Sequence, residues 1–129
     1  MPSRTAPVNV YLADDSELIR ARVAAMLGSG AVNIVGEGET PQACIEGILA
    51  TRPDVVVLDV QLEGGQGLEV LRAVRSSDPC IAFVVFSNNS APAYRKRYLA
   101  AGAVEFLDKN AEFDRLAQAV RNAPRLISH

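Results

Sequence analysis

Asp14 and Asp15, Asp59, Ser87 and Lys109 are the side chains of this 129-residue chain whose types could act together. Carboxylates gathered at one point repel each other, which is tolerable where a divalent cation binds among them or a pKa rises. An all-oxygen set favours Mg²⁺ or Mn²⁺ over zinc. A carboxylate can also serve as a nucleophile, forming an aspartyl phosphate that water later splits. Phosphoryl transfer needs positive charge on the equatorial oxygens, which a divalent cation and a lysine ammonium supply, and a serine hydroxyl adds a further donor. Singly, each residue has a duller role: Asp14 and Asp15 as helix caps, Ser87 as a turn residue, Lys109 as a solvated charge. The chemistry depends on whether one edge of the fold collects them.

The elements that would do so can be read along the chain. Residues 54–67, DVVVLDVQLEGGQG, place four apolar residues directly before Asp59 and a loop with Gly64, Gly65 and Gly67 after it. A run apolar at every position fits a strand covered on both faces, with Asp59 at its carboxyl end. Upstream, residues 8–13 read as a strand ending on Asp14 and Asp15. A helix then opens near Ser16, carries Ile19, Val23, Met26 and Leu27, and stops at Gly28 and Gly30. Residues 32–35, interrupted by Asn33 and followed by polar GEGE, read as a short edge strand. Thr40 and Pro41 start a second helix with Ile45, Ile48 and Leu49 as its stripe, and Pro53 ends it.

Downstream, residues 68–76 form a helix with Val70, Leu71 and Val74 on one face, and residues 81–86 form another doubly buried strand ending at Ser87. Residues 91–101 read as a weaker helix, with Tyr94, Tyr98 and Ala101 inward and Arg95, Lys96 and Arg97 outward. Residues 104–107 make a last strand leading to Asp108 and Lys109. Asn110 is the expected cap of a final helix bearing Phe113, Leu116, Ala117 and Val120, followed by a short polar tail with Pro124. Five strands alternating with five helices predict an α/β doubly wound parallel sheet covered on both faces. The most apolar strands, the first, third and fourth, belong in the centre, which is the order 2-1-3-4-5. Asp14, Asp15 and Asp59 then meet at the topological switch point.

Length and composition bound the rest. One domain is expected over residues 1–129, with its core at about 8–122 and the polar tail at 123–129. A formal net charge of -2 and a pI near 5.4 give no general attraction for nucleic acid. Cys44 and Cys80 fit neither a CxxC motif nor a His/Cys cluster and read as reduced core thiols. The N-terminus lacks an apolar signal core, and the longest apolar run, residues 81–86, is too short to span a bilayer, so a cytoplasmic protein is expected. His129 is the only histidine. That excludes a Ser-His-Asp triad and a histidine-rich metal site, and leaves histidine chemistry to a partner.

LADDS, VVVLDVQL, VVFSNN and VEFLDKN together resemble the receiver domain of bacterial two-component response regulators, over residues 8 to about 120. The resemblance implies a flavodoxin-like (βα)5 sandwich and makes Asp59 the phosphoacceptor. It also implies that Asp14, Asp15 and Asp59, with the Gln61 carbonyl, hold Mg²⁺ or Mn²⁺, that Ser87 binds the phosphoryl group and that Lys109 pairs with it. Phe106 stands where the family places an aromatic rotamer switch. A histidine kinase or histidine phosphotransfer protein would be the donor, and the face made by the fourth helix, fifth strand and fifth helix would signal to a partner or an output domain; Arg95, Lys96 and Arg97 on that face suit an acidic partner. On this reading the chain is a phosphoacceptor with self-catalysed phosphorylation and autodephosphorylation rather than a turnover enzyme, and either a stand-alone receiver or the front of a longer regulator.

Three positions depart from the family pattern: Glu63 and Asn110 replace prolines, and Asn88 replaces a small residue. The peptide bond before Asn110 is expected trans, because a non-proline cis bond costs about 3 kcal/mol. Gln61 and Asn89 are placed to position or block water. The alternative reading is an interaction module of the same fold that is never phosphorylated. A haloacid-dehalogenase-like phosphatase expects an aspartate at residue 61, which is Gln61 here, and GEGETP is a weak match to a dinucleotide loop because Pro41 stands at its third glycine.

Overall fold

The apolar run before Asp59 forms β3 (Val55–Leu58), and all of it is buried. The computed structural model describes residues 7–28 and 31–127, so Gly30 and His129 lie outside the described residues. Around β3 the chain forms β1 (Val8–Ala13), α1 (Glu17–Leu27), β2 (Val32–Gly38), α2 (Pro41–Thr51), β4 (Gln61–Leu62), β5 (Gly65–Gln66), α3 (Gly67–Ser77), β6 (Ala82–Ser87), α4 (Pro92–Ala100), β7 (Glu105–Asp108) and α5 (Leu116–Asn122). The main sheet runs β2-β1-β3-β6-β7, and its pairings are parallel. With the small antiparallel β4–β5 ribbon set aside, this is the expected 2-1-3-4-5 order of a flavodoxin-like sandwich.

Side chains of the central strands alternate between two cores, as the pleat requires. Val56, Leu58, Phe83 and Val85 pack with Cys44, Ile48, Leu71, Val74 and Tyr98 on one face. On the other, Val55, Val57, Val84 and Phe86 pack with Val23, Leu27, Leu116 and Val120. α2, α3 and α4 therefore cover one face, and α1 and α5 the other. No helix among the described residues is long and apolar enough to cross a membrane.

Local chemistry sets several element ends. Ser16 caps α1 by accepting from the Ile19 amide at 3.2 Å, and Thr40 caps α2 through the Ala43 amide at 3.1 Å. α2 closes at Arg52 in the left-handed region, φ 48°. Gly64, at φ 83°, makes the tight turn of the β4–β5 ribbon, where a Cβ would be strained.

Elsewhere the structure departs from the sequence reading. β2 continues past residue 35 to Gly38, taking in part of the polar GEGE segment. It is an edge strand, so exposed Glu37 costs nothing there, and a register shift between Val10 and Tyr11 accommodates the extra residue. Asn110 does not cap the last helix. The Asp108 carboxylate accepts from the amides of Asn110, at 2.8 Å, and Ala111, at 2.9 Å, and helical structure begins later, as a 3₁₀ turn at Phe113–Arg115. The segment read as a polar tail opens with another 3₁₀ turn, Ala123–Leu126, whose Ala123 is fully buried. Cys44 is a core thiol, but Cys80 is exposed on the loop before β6.

Candidate functional site

β1, β3 and β7 each extend their ladders by one residue at the crevice, and those residues carry polar side chains; β6 ends on Ser87 itself. The Asp14 amide donates to the Gly38 carbonyl at 3.1 Å, Asp59 to Ala13 at 2.9 Å, and Lys109 to Ser87 at 3.0 Å. Backbone pairing thus fixes where the two aspartates and the lysine leave the sheet. α3 closes the floor: Gly67 donates to the Val60 carbonyl at 2.8 Å, and a Cβ at Gly67 would collide with the Asp59 carbonyl oxygen. Only glycine allows α3 to start so close to Asp59.

Asp14, Asp59 and Lys109 are nearly buried, while Asp15 is exposed. The Lys109 ammonium donates to Asp14 Oδ2 at 2.6 Å and to Asp59 Oδ2 at 2.9 Å. Asp14 Oδ1 accepts from the Ser16 amide at 2.9 Å. Burial pushes the Asp14 carboxyl above its ordinary range, against the pull of the Lys109 and Ser16 hydrogen bonds. Burial also presses Lys109 downward, but its bonds to Asp14 and Asp59 and their charges outweigh that, and its net shift is upward. The ammonium stays charged at neutral pH.

Oxygens of Asp14, Asp15 and Asp59 all lie within 4.8 Å of one another. That is a hard-oxygen donor set, and it fits a small divalent cation such as Mg²⁺. Ser87 is 1% exposed; its hydroxyl accepts from the Asn89 amide at 3.0 Å, so it sits at the same edge but is engaged with its own loop. Gln61 begins β4, two residues beyond Asp59, with its side chain exposed. Phe106 is buried, its ring edge-on to Tyr98 at 6.1 Å and beneath the Arg95 guanidinium at 5.1 Å. Asn88 is exposed. No peptide bond among the described residues is cis, so Lys109–Asn110 is trans as expected.

Sequence reasoning missed Arg20. It is 8% exposed and lies on the inner face of α1 with Val23 and Leu27, a position to which the sequence pattern assigns no role. Its guanidinium donates to the Asp14 carbonyl at 2.5 Å and pairs with Glu37 at 2.8 Å and Glu39 at 2.9 Å. A charge in phase with an apolar stripe was the available signal. Also missed were Ser90, whose hydroxyl donates to Asp108 Oδ2 at 2.5 Å, and Glu112, which accepts from the Asp108 amide at 3.0 Å.

Fold and site define a doubly wound α/β sandwich with an acidic, lysine-bridged crevice at its switch point. A family model described as the response regulator receiver domain matches residues 10–121. The chain is 30% identical over 115 residues to the response regulator GacA of Pseudomonas aeruginosa, a match covering 88% of this chain and 54% of GacA. It is 37% identical over 114 residues to the transcriptional regulatory protein NarL of Mycobacterium tuberculosis, covering 88% of this chain and 53% of NarL. The solved signal receiver domain of the M. tuberculosis NarL superposes with a TM-score of 0.85 at 34% identity, covering 93% of this chain and 98% of that one. The chain belongs to the response regulator receiver domain family. It spans about half the length of the curated relatives it matches.

Proposed function

We propose that the chain is a phosphorylation switch in which Asp59 accepts a phosphoryl group from the phosphohistidine of a histidine kinase or histidine phosphotransfer protein. A carboxylate oxygen of Asp59 bonds to phosphorus as the nitrogen–phosphorus bond breaks, and its electron pair leaves with the imidazole. Water later attacks the acyl phosphate, releasing inorganic phosphate and restoring the carboxylate. Asp14, Asp15 and Asp59, with the Gln61 carbonyl, would hold Mg²⁺, which when bound neutralises charge on the transferred group. Lys109, already directed at Asp14 and Asp59, would pair with the new phosphoryl oxygens, and Ser87 would turn its hydroxyl toward them.

The observation that carries this reading is the Lys109 ammonium spanning Asp14 and Asp59 at the switch point, 2.6 and 2.9 Å away. New charge at Asp59 would then shift a two-state equilibrium of Ser87, Phe106 and the α4–β7–α5 face. A partner or a further domain would read that face in the cytoplasm, without this domain itself contacting nucleic acid. The test is incubation with Mg²⁺ and acetyl phosphate followed by intact mass measurement. One added phosphoryl group is expected, absent in Asp59→Asn and absent when EDTA removes the metal. An unmodified protein under varied donors would favour the phosphorylation-independent interaction module.

A further inference from the structure

Arg20 touches both the strand end that carries Asp14 and the residue that steadies the loop after Asp59. One arm of its guanidinium donates to the Asp14 carbonyl at 2.5 Å. Another pairs with the Glu39 carboxylate at 2.9 Å. The Glu39 backbone carbonyl in turn accepts from the Glu63 amide at 2.9 Å, immediately after the β4 strand that begins at Gln61. The third arm, to Glu37 at 2.8 Å, balances the buried charge from edge strand β2. Proline, which the family pattern places at residue 63, has no N–H and could not make the bond to Glu39.

We infer that Arg20 is a positioning residue for the divalent-cation site, bracing the Asp14 carbonyl directly and, through Glu39 and Glu63, the loop that carries Gln61. This rests on the metal site of the proposed function. Glu63 exchanges the stiffness of a proline for a hydrogen bond, and Arg20 secures the acceptor of that bond. The planar fork matters as well as the charge, because three acceptors lie in three directions and a lysine ammonium on a flexible stem cannot hold them in one geometry. Groups that orient metal ligands change affinity about 10- to 100-fold when removed.

The experiment is Mg²⁺ titration of the folded, unphosphorylated protein by calorimetry, alongside urea unfolding in EDTA. Arg20→Lys is expected to weaken Mg²⁺ binding about tenfold in protein that circular dichroism shows to be folded. Glu39→Gln should weaken it less. Adding Glu63→Pro to Arg20→Lys should recover part of the loss, since the proline stiffens the loop without the brace. If Arg20→Lys binds Mg²⁺ as tightly as wild type and differs only in urea midpoint, Arg20 is merely structural and the inference is overturned. If the proline recovers nothing, the loop arm is overturned. Wild-type protein that binds no Mg²⁺ would instead overturn the metal site itself.

Discussion

α3 and α4 lie on the same face of the sheet, beside the crevice, and are held there in opposite ways. α3 buries Gly67, Leu68, Val70, Leu71 and Val74, and its Glu69 carboxylate accepts from the Gln66 amide at 2.9 Å to close its first turn. α4 buries one residue, Tyr98, and has no side-chain cap. Beyond it, only the partly buried Tyr94 and, just past the helix, Ala101 pack on the core, and polar pins add to them: the Tyr98 hydroxyl accepts from the Leu68 amide at 3.0 Å, and Arg95 donates to the Phe106 carbonyl at 2.9 Å. Apolar burial is non-directional and strong per helix, whereas single pins hold one geometry and release it at modest cost. α3 is built as the floor of the site, and α4 is the more loosely held of the two.

The largest effect that would test this contrast is Leu71→Ala, which empties a fully buried position under α3 and should cost about 2–5 kcal/mol. Leu99→Ala on α4, where the side chain is 40% exposed, should stay within about 0.5 kcal/mol. Urea midpoints of the two variants decide it; equal losses would erase the distinction. Tyr98→Phe comes next. It keeps the ring but leaves the buried Leu68 amide without its acceptor, and should cost about 1–3 kcal/mol. Hydrogen exchange should then quicken in α4 more than in α3.

The core beneath α2 and α3 also excludes charge, which gives a pH signature. Burial pushes the Cys44 thiol from 9.0 to about 12 and the Tyr11 hydroxyl from 10.0 to about 12. Between those values the unfolded chain has lost protons that the folded chain keeps, so stability falls as pH rises from about 9 toward 12. The slope per group is at most about 1.4 kcal/mol per pH unit. Cys44→Ala should flatten the lower part of that decline and leave most of the Tyr11 part, which burial mainly sets and the Cys44 charge only adds to. A profile unchanged by the substitution would mean that Cys44 is not shielded as its burial indicates.

The two helices also differ in how far the sequence revealed them. Val70, Leu71 and Val74 mark α3 by spacing, and the valines of β3 mark a doubly covered strand, because burial writes itself into residue type. The convergence of Asp14, Asp59 and Lys109 followed from strand ends and strand order alone. What stayed hidden depends on polar partners chosen in three dimensions. Arg20 broke the stripe of α1, and its partners Glu37 and Glu39 lie in the polar segment past the expected end of the second strand. Asp108, rather than Asn110, takes the amides of residues 110 and 111, and both side chains suit that role by type. The β4–β5 ribbon is two residues per strand, too short to carry a pattern.

Arg95→Ala is the smallest and most selective test of the comparison. The guanidinium lies 5.1 Å over the Phe106 ring, donates to the Phe106 carbonyl, and is 3.8 Å from the Glu112 carboxylate. Its side chain is 44% exposed, so solvent screens the ion pair, and the cation–π contact contributes about 0.5–1 kcal/mol. Global stability should therefore barely move. The local consequence is sharper, because Arg95 covers Phe106, the proposed rotamer switch, from the solvent side. Without it, the Phe106 ring should sample a second rotamer, visible as broadened ring resonances and faster amide exchange confined to α4 and β7. Loss spread evenly over α3 and α4 would show instead that the two helices unfold as one unit, and that the polar pins add no separate freedom.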